Sequence, residues 1–208
     1  MTFRPTLRVP ALAGLALSAL LSACAPLIIG GAAVSGALMY TDRRTSGAQI
    51  EDQAIEVKAE KRLKTLLGDR GHVNVTSYNR IVLVTGEVAT EEDRKAVEQL
   101  VAGVENQRSV VNETAVMALS TLSSSSNDLI ITSKVKATFL DAADLEGQAF
   151  KVVTERGIVY LMGRVTAAEA DRATELARKV GGVQKVVRVV ELISESDLRE
   201  IRPPKKSS

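Results

Sequence analysis

One pattern of residues occurs twice in this chain, so the fold has to be assembled from two copies of one small unit. Each copy covers about 70 residues, a period that suits a duplicated small domain rather than a solenoid. The first copy runs from about Glu51 to Met117 and the second from Asn127 to Ile193, with Ser123-Ser124-Ser125-Ser126 between them as a solvated linker. A unit of this size is near the lower limit for an independent hydrophobic core, which predicts that the two copies pack on one another.

Within each copy the order of patterns is the same. An opening helix is marked by apolar residues at helical spacing: Ile55, Ala59, Leu63 and Leu66 in the first, Ile131, Val135, Phe139 and Ala142 in the second. Two strands follow. Val73–Thr76 turns through Tyr78-Asn79-Arg80 into Ile81–Val84, and Phe150–Thr154 turns through Glu155-Arg156-Gly157 into Ile158–Met162. Gly86 and Gly163 close the second strands, where a bulge or a close backbone approach leaves no room for a side chain. The second helices begin at Thr90 and at Thr166, which opens a capping box with Glu169. They stop at Gly103-Val104 and Gly181-Gly182-Val183, ahead of closing strands through Val110-Val111 and Val186–Leu192. The reading is an α+β fold in two tandem units, each helix-strand-strand-helix-strand with helices packed on a small mixed sheet.

The amino terminus reads as an export signal. Arg4 and Arg8 precede the apolar run Val9–Leu21, and the small residues Ser22 and Ala23 precede Cys24, the only cysteine. The run is too short to cross ~30 Å of hydrocarbon as a stable helix. Arg4 and Arg8 leave with the signal and take no acid with them, so the remaining chain balances 25 basic against 25 acidic residues. No net basic charge is left for phosphate neutralisation, which argues against general nucleic-acid binding. A single cysteine forms no internal disulfide or thiolate zinc site. His72, the only histidine, is expected in a surface turn, and no nucleophile–base pair is in sight. No cofactor, metal, small-molecule substrate or enzymatic activity is expected.

Leu21-Ser22-Ala23-Cys24 resembles the lipobox of bacterial lipoproteins, and the two repeats resemble BON domains. Asn74–Tyr78, Ser126-Asn127-Asp128 with Ile131-Thr132, Val159–Gly163, and Thr41-Asp42-Arg43-Arg44 ahead of the first repeat are similar to dual-BON outer-membrane lipoproteins of the DolP (YraP) type. The resemblance implies a signal peptide over 1–23 and an acylated Cys24 at the head of a Gly/Ala-rich tether over 24–49. BON domains over 50–118 and 127–195 then flank a Ser-rich linker over 119–126, and a disordered basic tail covers 196–208. Ala25, rather than aspartate, after the cysteine implies the outer membrane.

The opening helix of the second repeat carries the candidate binding face. Turning at 100° per residue, Ile131, Val135, Thr138, Phe139 and Ala142 fall on the buried side. Ile130, Ser133, Lys134, Ala137 and Leu140 fall on the far side with Lys136 at its edge. Aliphatics beside lysines suit a lipid surface, with apolar groups in the acyl boundary and ammonium groups at phosphate depth. The matching positions of the first repeat, Ala54, Lys58, Lys61 and Lys64, carry no comparable apolar group. The resemblance implies that this helix engages anionic phospholipid, with the membrane-inserting aromatic replaced by Ile130 and its apolar partner at Leu140. It further implies a periplasmic role in envelope integrity, linked to the machinery that assembles outer-membrane β-barrels. Two alternatives stay open: the same face docks a protein in a chaperone-like module, or Ile130 and Leu140 pack against the first repeat.

Overall fold

A computed structural model describes residues 42–118 and 122–201. Cys24, the tether up to Thr41, and the tail beyond Ile201 lie outside the described residues. The order in the first domain is α1 (Ser46–Leu67), β1 (Gly71–Tyr78), β2 (Ile81–Val88), α2 (Glu91–Ala102), β3 (Ser109–Asn112) and β4 (Ala115–Val116). The second has α3 (Leu122–Asp141), β5 (Lys151–Glu155), β6 (Ile158–Val165), α4 (Ala167–Arg178), β7 (Lys185–Leu192) and α5 (Glu195–Ile201). In each sheet the central strand pairs antiparallel with the strand before it and parallel with the strand after the second helix, giving the orders β1-β2-β3 and β5-β6-β7. The short β4 adds to β2 beyond β3. This is the α+β, mixed-sheet unit that the repeat predicts.

The alternation along the two central strands decides how the layers stack. Val82, Val84 and Val88 of β2 point into a core with Ile55, Ala59 and Leu63 of α1 and Val97 and Val101 of α2. Val159, Leu161 and Val165 of β6 do the same against Ile131, Val135 and Phe139 of α3 and Ala170, Ala173 and Ala177 of α4. The intervening residues look the other way, and there the two sheets meet: Tyr78, Leu83, Tyr160, Met162 and Val189 form a third apolar cluster shared by both domains. Each small core therefore gains a second buried face. Charged pairs border it, including Lys151 with Glu56 at 2.9 Å and Arg156 with the fully buried Glu87 at 3.3 Å. Arg43, ahead of α1, is buried against the second domain, with its guanidinium on both oxygens of Glu169 at 2.7 Å and on the Arg164 carbonyl at 3.0 Å.

Both hairpins turn through two residues with positive φ, Asn79-Arg80 and Arg156-Gly157, the pairing that matches strand twist. A buried aspartate from the opening helix holds each turn. Asp52 accepts from the backbone N–H groups of Asn79 and Arg80 at 2.8 and 2.7 Å, and Asp128 from those of Arg156 and Gly157 at 2.7 and 2.8 Å.

Several local expectations need correction. The serine run is not a linker: α3 begins at Leu122 and takes Ser123–Ser126 into its first turns. Serine costs only about half a kcal/mol per residue relative to alanine in a helix, so a helix anchored by Ile131 and Val135 extends back through it. The segment from 196 is not disordered throughout, because residues 195–201 form α5. Ser194 and Asp197 cap one another there, and Leu198 is buried. Gly86 and Gly163 lie within β2 and β6 rather than at their ends. A Cβ on Gly86, at φ 111°, would stand 2.1 Å from the His72 carbonyl oxygen, and one on Gly163 would stand 2.6 Å from that of Ala149. His72 itself is exposed in β1 rather than placed in a turn.

Candidate functional site

The outward face of α3 is set by what its inward face must bury. Ile131 and Phe139 are 1% exposed and Val135 is fully buried, and Phe139 meets Phe150 edge-on with ring centroids 5.5 Å apart. Asp128, latched to the hairpin turn, fixes the rotation of the helix one turn earlier. The far side then has to face solvent. Ile130 is 54% exposed and Leu140 63%. Ser133, Lys134, Lys136 and Ala137 are exposed beside them. The helix brings all six predicted residues onto one side.

Leu129, 69% exposed, belongs to the same face and was missed by the sequence reading. Leu129, Ser133, Lys136 and Leu140 follow one another at spacings of four, three and four, which make a single stripe along a helix. The signal was present in that spacing. The face thus carries three large aliphatics. Its hydroxyls are satisfied within the helix, Ser133 donating to the Leu129 carbonyl at 2.9 Å and Thr138 to that of Lys134 at 2.9 Å. Lys134 and Lys136 make no ion pair with any described residue. The ammonium groups and the aliphatics are both available to an outside partner.

The comparison with α1 is less clean than its sequence suggests. Ala54 is half-buried, and Lys58, Lys61 and Lys64 are exposed as expected. Ile50 and Val57, however, are 72% and 54% exposed on that helix. They sit at the positions that match Ser126 and Ser133 of α3, on the stripe that also carries Leu129, Lys136 and Leu140, so the first domain has an apolar pair of its own on the matching face.

Several titrations displaced from their ordinary range lie at the seam between the sheets, and among the described residues none lies on the outward face of α3. Burial, with Asp42 nearby, pushes the Tyr78 hydroxyl up to about 12, while Arg44 stacks on its ring at 4.3 Å. Burial, with Glu87 nearby, raises the Glu155 carboxyl. These groups are spent on joining the domains. Among the described residues no group of three or more His, Cys, Asp or Glu side chains is placed to hold a metal ion. No described helix is long and apolar enough to cross a membrane.

The BON domain family model matches residues 51–118 and 127–193, and these are the two units described above. The chain belongs to the BON family. It is 34% identical over 191 residues to the outer membrane lipoprotein DolP of Haemophilus influenzae, covering 91% of this chain and 97% of that one. It is 32% identical over 154 residues to a 21 kDa hemolysin of Actinobacillus pleuropneumoniae, covering 73% and 79%. It is 28% identical over 148 residues to osmotically-inducible protein Y of Escherichia coli, covering 67% and 72%. The near-complete match to DolP makes this a dual-BON, lipid-anchored outer-membrane protein of that type.

Proposed function

We propose that this protein is held at the periplasmic face of the outer membrane by an acylated Cys24 and binds anionic phospholipid through α3. In this position it supports envelope integrity and the assembly of outer-membrane β-barrels. The observation that carries the reading is the exposed set Leu129, Ile130 and Leu140 alongside Lys134 and Lys136, which make no ion pair with a described residue. Aliphatic side chains entering the acyl boundary gain from leaving water, and each lysine near an anionic surface adds about 1 kcal/mol. Isoleucine lacks the interfacial preference of tryptophan, so the lysines carry a larger share of the attraction here.

The test is flotation of residues 25–208 with vesicles of phosphatidylglycerol in phosphatidylcholine, which separates this surface from the acyl anchor. Both domain cores and the seam are built from residues within this stretch. Ile130→Glu and Leu140→Glu reduce binding sharply, Lys134→Glu and Lys136→Glu reduce it less, and added salt weakens the wild type. Ala54→Glu and Lys64→Glu in the first domain change little. Circular dichroism checks the fold of each variant. Folded Ile130 and Leu140 variants that float like wild type would instead make this face a protein-docking surface.

A further inference from the structure

The duplication aligns the two domains residue by residue well past the second helices. Thr90 and Thr166 cap α2 and α4 in the same way. At the far ends the Val104 N–H donates to the Val101 carbonyl as Val180 does to Ala177, at 3.0 and 3.1 Å. Asn106 and Gly182 both take positive φ, and the Arg108 N–H reaches the Arg80 carbonyl as Gln184 reaches Gly157, each at 2.8 Å. Glu105 and Gly181 are therefore equivalent positions. Lys179, not Gly181, matches Gly103, which corrects the pairing of helix ends drawn from the sequence.

In the first domain this position holds an anion of the chain's own. The Glu105 carboxylate lies 3.5 Å from Lys58 Nζ and accepts from the Arg62 guanidinium at 3.3 Å. Its own backbone N–H, then Arg62 and Lys58, hold that carboxyl below its usual range. The site favours negative charge although it lies at the carbonyl end of α2, where the helix dipole does not.

The second domain keeps one of the two cations and drops the carboxylate. Lys134 stands where Lys58 does, Thr138 replaces Arg62, and a second cation comes from Lys179. At Gly181 an added Cβ would meet nothing within 4 Å. Between α3 and the end of α4 lies an open groove of about 400 Å³, lined by Lys134, Thr138, Asp141, Leu176, Lys179 and Gly181 among others. Asp141 is two turns from Lys134, about 10 Å along the axis, so it does not neutralise that lysine. Neither Lys134 nor Lys179 pairs with a described acid.

We infer that this groove receives the phosphate of one anionic glycerophospholipid, seated between Lys134 and Lys179 where the first domain places the Glu105 carboxylate. The inference rests on the reading that α3 faces the membrane and adds α4 and Lys179 to that contact. The first-domain arrangement is an internal model of the Lys134 side of this site, with a carboxylate standing in for phosphate.

Gly181→Glu tests it by giving the second domain its own carboxylate. The new side chain has room, so the melting profile stays that of wild type. Flotation of residues 25–208 with phosphatidylglycerol-containing vesicles falls about twentyfold, the weight of one occupied lysine and one added negative charge at an anionic surface, and Lys179→Gln costs about fivefold. Gly181→Gln, which adds no charge, and Arg178→Glu, next to Lys179 but outside the groove, cost much less. Equal losses for Arg178→Glu and Gly181→Glu would overturn the inference in favour of diffuse surface charge. Wild-type flotation by Gly181→Glu with loss by Ile130→Glu would overturn the groove and leave the membrane face standing. Wild-type flotation by both would remove the membrane face as well.

Discussion

Replacing Asp128 by alanine should be among the most damaging changes on α3, although the residue touches nothing on the outward face. Its two carboxylate oxygens accept from the N–H groups of Arg156 and Gly157 at 2.7 and 2.8 Å, and Asp128 itself is 6% exposed. Hydrogen bonds to a charged group contribute about 1.5–3 kcal/mol each, and a buried donor left without a partner bears its full desolvation cost. Two such bonds place the loss at about 3–5 kcal/mol. For a chain of this size that is a fall in melting temperature of roughly 6–20 °C. Asp128→Asn keeps one acceptor oxygen but not the charge, and loses about half as much. Urea unfolding followed by circular dichroism measures both, with exposed Asn127→Ala as the neighbouring control. An Asp128→Ala variant within about 1 kcal/mol of wild type would refute the idea that the helix is locked to the hairpin through this carboxylate.

Other outcomes follow from single residues. Gly86→Ala meets both a 2.1 Å approach to the His72 carbonyl oxygen and a φ of 111°, whereas Gly163→Ala meets a 2.6 Å approach to Ala149 without a left-handed φ. Gly86→Ala therefore costs about 3 kcal/mol or more and Gly163→Ala about 1–3 kcal/mol in urea melts, and the reverse order would contradict the geometry. Glu155 is the opposite case. Burial and Glu87 raise its carboxyl above the ordinary 4.5, so the folded chain holds this proton at a pH where the unfolded chain has lost it. The group costs stability above its folded pKa, and the cost fades as pH falls towards the unfolded value. Glu155→Gln should raise the melting temperature near pH 7 and leave it unchanged near pH 4; a lower melting temperature at neutral pH would show that the charge is stabilising there. Cys24→Ala should abolish acylation, read by mass spectrometry of the mature amino terminus, and an unmodified Cys24 in membrane-bound wild type would contradict the anchor.

The elements most visible in the sequence are those whose burial imposes a period. Ile131, Val135 and Phe139 announce a helix, and Val82–Val84 and Val159–Met162 announce strands buried on both faces, because those side chains alternate between two different cores. The seam was foreseen only as a consequence of small size. Nothing local in Tyr78, Leu83, Tyr160, Met162 and Val189 says that they meet, since their contact is between residues far apart in the chain. Asp52 and Asp128 were similarly illegible as latches: an aspartate on a helix reads as a solvated residue until the hairpin donors are placed over it. The serine run misled because serine is read from its preference for loops, while a helix with a firm buried face overrides a weak local propensity. Of the outward face, Ile130 and Leu140 were readable from rotation alone. Lys179 was not, because its place beside Lys134 depends on how α4 ends.

The central claim is that α3, and not α1, enters the lipid surface, and depth measured by a spin label tests it most directly. Labels placed at residues 129, 130 and 140 of the second domain, and at 50 and 57 of the first, are read in residues 25–208 bound to vesicles containing phosphatidylglycerol. All five positions are exposed in the protein, so none has to displace a core side chain. The account predicts that labels at 129, 130 and 140 become protected from a water-soluble relaxation agent and accessible to oxygen dissolved in the acyl region, while those at 50 and 57 remain in water. Immersion of 50 and 57 with 129, 130 and 140 left in water would place the contact on the first domain and contradict the account.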